Sequence, residues 1–206
     1  MRTRKQPEER RQEIFAAAER LFTEQGYAAT TVADITKAAG VAKGTFFYYF
    51  ETKDALLAAI GRHWAQEFAR RYQEAEKGED AVSHLLAFLR IFEGDDPLEP
   101  MVDRLIGEHQ YRLVETIWQA MRDETMDPLL AGILREGAAE GSMHLASDAK
   151  SCIHFFWHIY DAVFPMEDVG TSLDEAPMAK YLVLGHRLLE TMLGLPSGTL
   201  EALEVS

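Results

Sequence analysis

The sequence predicts an all-α chain, a small N-terminal helix-turn-helix domain followed by a larger helical domain, and three observations predict it. Apolar residues recur at helical rather than alternating spacing through almost all of the 206 residues. Glycine, proline and capping residues fall at the ends of those stretches. The charge is uneven: residues 1–53 hold 9 Lys/Arg against 7 Asp/Glu, while residues 54–206 hold 12 against 27. Only the N-terminal segment suits a polyanion, and the acidic remainder repels one.

Composition narrows the class. Hydrophobic residues make up 47% of the chain, enough for a packed core. Cys152 stands alone, so no internal disulfide forms and nothing points to an oxidising compartment. The opening Met1-Arg2-Thr3-Arg4-Lys5-Gln6-Pro7 lacks the apolar stretch of a signal peptide. No apolar run approaches the roughly 20 residues of a membrane span. The reading is a cytoplasmic protein with no membrane partner.

The elements follow in order. Ile14, Ala17, Ala18, Leu21 and Phe22 define one face of a first helix, opened by Pro7, Glu8 and Glu9 and stopped by Gly26. Thr31 caps a second helix, with Asp34 three residues on, and Gly40 ends it. A short third helix runs from Lys43 to Phe50. Thr52 caps a long fourth, which reaches Ala75 and breaks at Gly78-Glu79-Asp80. Further helices are predicted over 81–92, 99–107, 110–124, 129–140, 147–164 and 176–194. The chain is expected to break before Asp127-Pro128, and the segment after Pro196 to fray.

The segment Thr30–Phe50 carries the functional signal. Two short helices meet at a tight glycine turn, with small Ala38 and Ala39 before it. Val32, Ile35 and Val41 are spaced to pack inward. This is a helix-turn-helix pattern, whose second helix enters the major groove. Lys43 and Thr45 occupy the first turn of that helix, and Gly44 permits close backbone approach. Phe46 and Phe50 are four apart and read as core, Tyr48 reads equally as core or phosphate contact, and Tyr49 and Lys53 suit the DNA backbone. Arg2, Arg4 and Lys5 read either as a minor-groove arm or as a solvated terminus.

The run from Thr31 to Leu57 resembles the DNA-binding signature of the TetR family of bacterial regulators. Ile14–Thr30 resembles its first helix, including the Leu21-Phe22 and Gly26-Tyr27 pairs, so the resemblance covers roughly residues 8–60. It implies a DNA-binding domain over 1–53 and an effector-binding and dimerisation domain over 54–206. It further implies a homodimer joined through the last two long helices, a pseudo-palindromic double-stranded operator, and a small-molecule effector that releases it. Carried over by position, the DNA contacts are Thr31, Lys43, Gly44, Thr45, Phe47, Tyr48, Tyr49 and Lys53. Phe47 departs from the family, which usually has Tyr there; it cannot donate to a phosphate but can touch a thymine methyl. A ligand-independent regulator and an activator are the alternatives to a repressor.

The second domain concentrates aromatics, Met and His. Phe92, Met101, His109, Trp118, Phe156, Trp157 and Tyr160 are the candidate lining of a pocket for a largely apolar effector. For any one of them a plain core role competes. His154 and His158 have the spacing of a two-histidine metal site with Asp161 nearby, yet they need a third ligand such as His109 or Glu108; an interface or pocket role is preferred. Cys152 reads as a small buried hydrophobe. The last two long helices are apolar on more than one face, and Gly185 allows close helix approach. With no phosphate-binding glycine loop, nucleophile motif or metal triad, neither an enzyme nor a cofactor is expected.

Overall fold

The computed structural model describes residues 7–94, 97–163 and 175–203, apart from the side chains of 175–178 and 202. The arm of Arg2, Arg4 and Lys5 lies outside these residues. Among them the regular structure is helical, without strands, and no helix is long and apolar enough to cross a membrane. The chain forms two compact units, Met1–Trp64 with Pro97–Met121, and Ala65–Asp96 with Arg122–Ser206.

In the first unit, α1 (Pro7–Gln25) starts at a proline whose missing N–H falls where no intrahelical acceptor exists. It buries Ile14, Phe15, Ala18 and Phe22. α2 (Val32–Ala38) is held by a reciprocal cap. The Asp34 N–H donates to the Thr31 hydroxyl oxygen at 3.2 Å, and the Thr31 N–H donates to the Asp34 carboxylate at 2.9 Å. α3 (Lys43–Tyr49) buries Phe46, and Phe50 beyond its end packs 5.6 Å from the Phe15 ring. α4 (Lys53–Glu74) adds Leu56, Leu57 and Ile60 to this core. α6 (Glu99–Gly107) and α7 (Tyr111–Met121) complete the unit with Met101, Leu105, Val114 and Ile117. Each large apolar side chain so buried stabilises the unit by about 1.5–3 kcal/mol before entropy is counted.

In the second unit, α5 (Ala81–Phe92) is capped by Asp80, which accepts the Ser83 N–H at 2.8 Å. It packs on α8 (Asp127–Glu140) and, through Phe88 and Phe156, on α9 (Ala149–Val163); α9 packs in turn on α8 and α10 (Glu175–Leu193). The expected break before Asp127-Pro128 does not occur. A wider π turn, Arg122–Met126, leads straight into α8, and Pro128 sits in that helix's first turn, the helical position that best tolerates proline. Gly185 does allow a close approach, and the neighbour is α9 of the same chain: a Cβ there would lie 3.2 Å from methyls of Ile159 and Val163. The described residues after Pro196, up to Leu203, are not frayed. Leu200 is fully buried and opens a 3₁₀ turn, Leu200–Leu203. The buried carboxylate of Glu190 accepts the N–H groups of Gly198 at 3.1 Å and Leu200 at 2.8 Å. Position at the end of the sequence suggested a loose end; a helix acid collecting N–H groups eight and ten residues later is a tertiary effect.

Candidate nucleic-acid interface and effector site

The turn from α1 to α2 fixes where the short helices sit. It starts at Gly26, whose φ of +88° is left-handed backbone that side chains rarely adopt. The Lys53 ammonium, from the start of α4, donates to the carbonyls of Tyr27 at 2.6 Å and Thr30 at 2.8 Å, and lies 3.9 Å from the Tyr27 ring centroid. Burial pushes its pKa down, opposed by Asp54 and Glu108. The Tyr27 hydroxyl donates to Asp54, and burial, then that carboxylate, hold the phenol well above its ordinary value. Glu108, just past α6, accepts the Tyr27 N–H at 3.2 Å and the Arg104 Nε–H at 2.9 Å. The side chains of Lys53, Asp54 and Glu108 thus hold the turn at Tyr27 and Thr30.

α3 separates its faces cleanly. Phe46 and the following Phe50 are buried, while Lys43, Gly44, Phe47 and Tyr48 are exposed and Thr45 and Tyr49 are half-buried. Tyr48, left open between core and surface by the sequence, is 81% exposed. Lys43 Nζ lies 5.8 Å from the centroid of Phe47, one turn along. Thr31 is exposed while its hydroxyl and N–H serve the α2 cap. Lys53 differs from the other expected DNA contacts, because its ammonium is already bonded to the two turn carbonyls.

The expected effector residues divide between the units. Phe92, Phe156, Trp157 and Tyr160 form one aromatic cluster in the second, with Phe92 5.4 Å from Trp157 and 4.9 Å from Tyr160, and Phe156 4.9 Å from Tyr160. Trp157 donates its indole N–H to Asp127 at 2.6 Å, beneath the Arg122 guanidinium at 4.8 Å. Met101, His109 and Trp118 belong to the first unit. Met101 is buried, Trp118 is half-buried, and His109 is exposed on the α6–α7 turn with φ +56°, its Nδ1 2.9 Å from the Tyr111 hydroxyl. Proximity of aromatic residues in sequence does not tell which unit they fill.

Two polar residues beside the cluster escaped sequence reasoning. His186 Nε2 lies 2.8 Å from Oε1 of Glu93, and the Tyr160 hydroxyl donates to the same oxygen. A histidine inside the otherwise apolar stretch of α10 was the available signal. Burial, then Glu93, hold the Tyr160 phenol well above its usual value. The rings of His154 and His158 are 4.4 Å apart on the surface, and His158 Nδ1 is 3.5 Å from Asp161. Glu108, once a possible third ligand, is engaged with Tyr27. Among the described residues no three His, Cys, Asp or Glu side chains converge as a metal site. Cys152 is buried, as expected.

Residues 14–60 match the model of the bacterial regulatory proteins of the tetR family. Residues 14–60 thus carry the TetR-family DNA-binding domain. Among relatives, the HTH-type transcriptional repressor KstR2 of Mycolicibacterium smegmatis is 29% identical over 162 residues, covering 74% of this chain and 77% of the relative. The fatty acid metabolism regulator protein of Bacillus subtilis is 26% identical over 151 residues, covering 71% and 77%. The fold of the whole chain resembles that of Salmonella enterica GusR, with a TM-score of 0.66 at 19% identity, covering 93% of this chain and 98% of that one. This protein is a DNA-binding transcriptional regulator, and the matching family and the relatives are regulators rather than enzymes.

Proposed function

We propose that this protein is a cytoplasmic homodimeric repressor that binds a pseudo-palindromic operator and leaves it when a small, largely apolar effector binds. One observation carries the DNA half: α3 buries Phe46 and exposes Lys43, Gly44, Phe47 and Tyr48. A solvated face with two large aromatic rings and an ammonium suits a groove wall of phosphates and base edges. Residues 1–53 act as the reader, with Thr31, Thr45 and Tyr49 flanking that face. Residues 54–206 act as the effector and dimerisation part. The relatives' names support repression. Phe155, Tyr181, Leu184 and Leu188 support a dimer, because α9 and α10 leave these large apolar side chains exposed. The cluster of Phe92, Phe156, Trp157 and Tyr160 supports an apolar effector.

The test is binding to the DNA upstream of the protein's own gene, and to sites from random-sequence selection, at two salt concentrations. Specific, salt-sensitive binding with two chains per site is expected. Lys43→Ala should weaken it by about 1–3 kcal/mol and reduce the salt slope by about 1. No sequence preference after selection refutes the reading.

A further inference from the structure

The second unit buries a polar group that its own fold does not complete. Glu93 Oε1 receives two donors, the Tyr160 hydroxyl and His186 Nε2–H at 2.8 Å. The side chains are largely out of water: His186 is 3% exposed and Glu93 12%. The other imidazole nitrogen, Nδ1, is buried with no hydrogen-bond partner, alone in this among the buried side-chain polar atoms of the described residues. Buried polar atoms are almost always paired, and an unpaired one costs free energy until something pairs it.

The chemistry of the missing partner follows from the tautomer. A carboxylate accepts, so the imidazole nitrogen facing it carries the proton. In the neutral ring Nδ1 is then a lone-pair acceptor. The group that completes it must donate, as an alcohol, a phenol or an amide N–H does. A carboxylate or phosphate meets a lone pair there and the Glu93 charge behind it. The surroundings are aromatic: Tyr160 packs 4.9 Å from both Phe92 and Phe156, and Phe92 packs against Trp157. Apolar walls with one convergent polar group are the make-up of a small-molecule site.

We propose that Glu93, Tyr160 and His186 form the polar anchor of the effector site, and that the effector is an uncharged, mainly apolar molecule whose hydroxyl donates to His186 Nδ1. This rests on the effector reading above and adds the ligand's charge and its hydrogen-bonding sense. His186 selects; the aromatic rings supply most of the contact area.

Three shape-matched probes test it on the free protein: 4-tert-butylphenol, its methyl ether and 4-tert-butylbenzoate. The readouts are thermal shift and the ¹⁵N resonance of His186 Nδ1 in histidine-labelled protein. The phenol is expected to bind at least about tenfold more tightly than either of the others, and it alone should move the Nδ1 resonance. His186→Phe keeps the ring volume and removes the acceptor, and should bring the phenol to the level of the ether. The wild-type comparison stands even where that variant does not fold. Equal affinities, tighter benzoate binding, an unmoved Nδ1 resonance or a phenol preference that survives His186→Phe overturns the anchor. Operator binding of the same samples without probe separates the two failures: its loss counts against the regulator reading, and its retention beside equal probe affinities counts against the anchor alone.

Discussion

Replacing Lys53 by Met keeps the aliphatic stem and removes the ammonium that donates to the Tyr27 and Thr30 carbonyls at 2.6 and 2.8 Å. A hydrogen bond to a charged group contributes about 1.5–3 kcal/mol, and two would give twice that in a dry interior. Lys53 is partly exposed and its pKa is pushed down by burial, so part of that gain already offsets desolvation. A net loss of about 2 kcal/mol is the reasonable figure after discounting for solvent. For a chain of this size that lowers the melting temperature by about 4–8 °C. Thermal unfolding followed by circular dichroism measures it. Operator affinity across a salt series supplies the discriminating readout. A lysine bound to turn carbonyls neutralises no phosphate, so Lys53→Met should weaken the operator complex while leaving the slope of log affinity against log salt unchanged. Lys43→Ala should reduce that slope by about 1. A Lys53→Met protein with unchanged melting temperature and a slope smaller by about 1 would refute the reasoning and place the ammonium on the DNA.

Substitutions at three other positions probe the same physics. Glu108→Ala removes the acceptor of the Tyr27 N–H and should cost about 1–2 kcal/mol, with operator affinity lowered at unchanged salt slope; Glu108→Gln, which keeps an acceptor, should lose less than half as much. Glu19 is largely buried and accepts the Trp64 indole N–H at 2.6 Å; burial outweighs that bond and raises its pKa. A carboxyl raised in the folded state stabilises fully below its unfolded value, and that contribution fades as pH rises through the folded pKa. Glu19→Gln should therefore remove part of the decline in stability between about pH 4 and neutrality, seen as a flatter plot of denaturant midpoint against pH. A plot of unchanged slope would mean that Glu19 is not responsible. Glu190→Ala strips the acceptor from the N–H groups of Gly198 and Leu200 and should cost about 2–3 kcal/mol, with Leu200 amide protection from hydrogen exchange lost first.

Much of the first unit was legible in the sequence because its signals are local. The Thr31 and Asp34 cap, the glycine turns and the four-residue spacing of Phe46 and Phe50 each act within a few residues. Element order in the second unit was legible for the same reason. What stayed hidden depends on distant partners. Lys53 reads as a DNA contact until two carbonyls more than twenty residues away are seen to hold it. Glu93 and His186 are 93 residues apart and no spacing rule joins them. The aromatic residues were recognised as a group, but the division that puts Met101, His109 and Trp118 in one unit and the remaining four in the other follows from chain topology. Pro128 misled by position: proline interrupts a helix interior but fits a first turn, and only the π turn before it shows which applies.

The contact between Gly26 and Glu108 also bears on how such regulators can be recombined. A Cβ on residue 26 would fall 1.8 Å from a carboxylate oxygen of Glu108. A glycine at one position and a glutamate 82 residues later are therefore sterically coupled. A chimaera joined at residues 53 and 54, with the reader of one relative on the effector domain of another, separates them. Where the donor reader has a side chain at position 26, Glu108 must swing away and give up the Tyr27 N–H. That makes this pair the first thing to check when designing new sensors from parts.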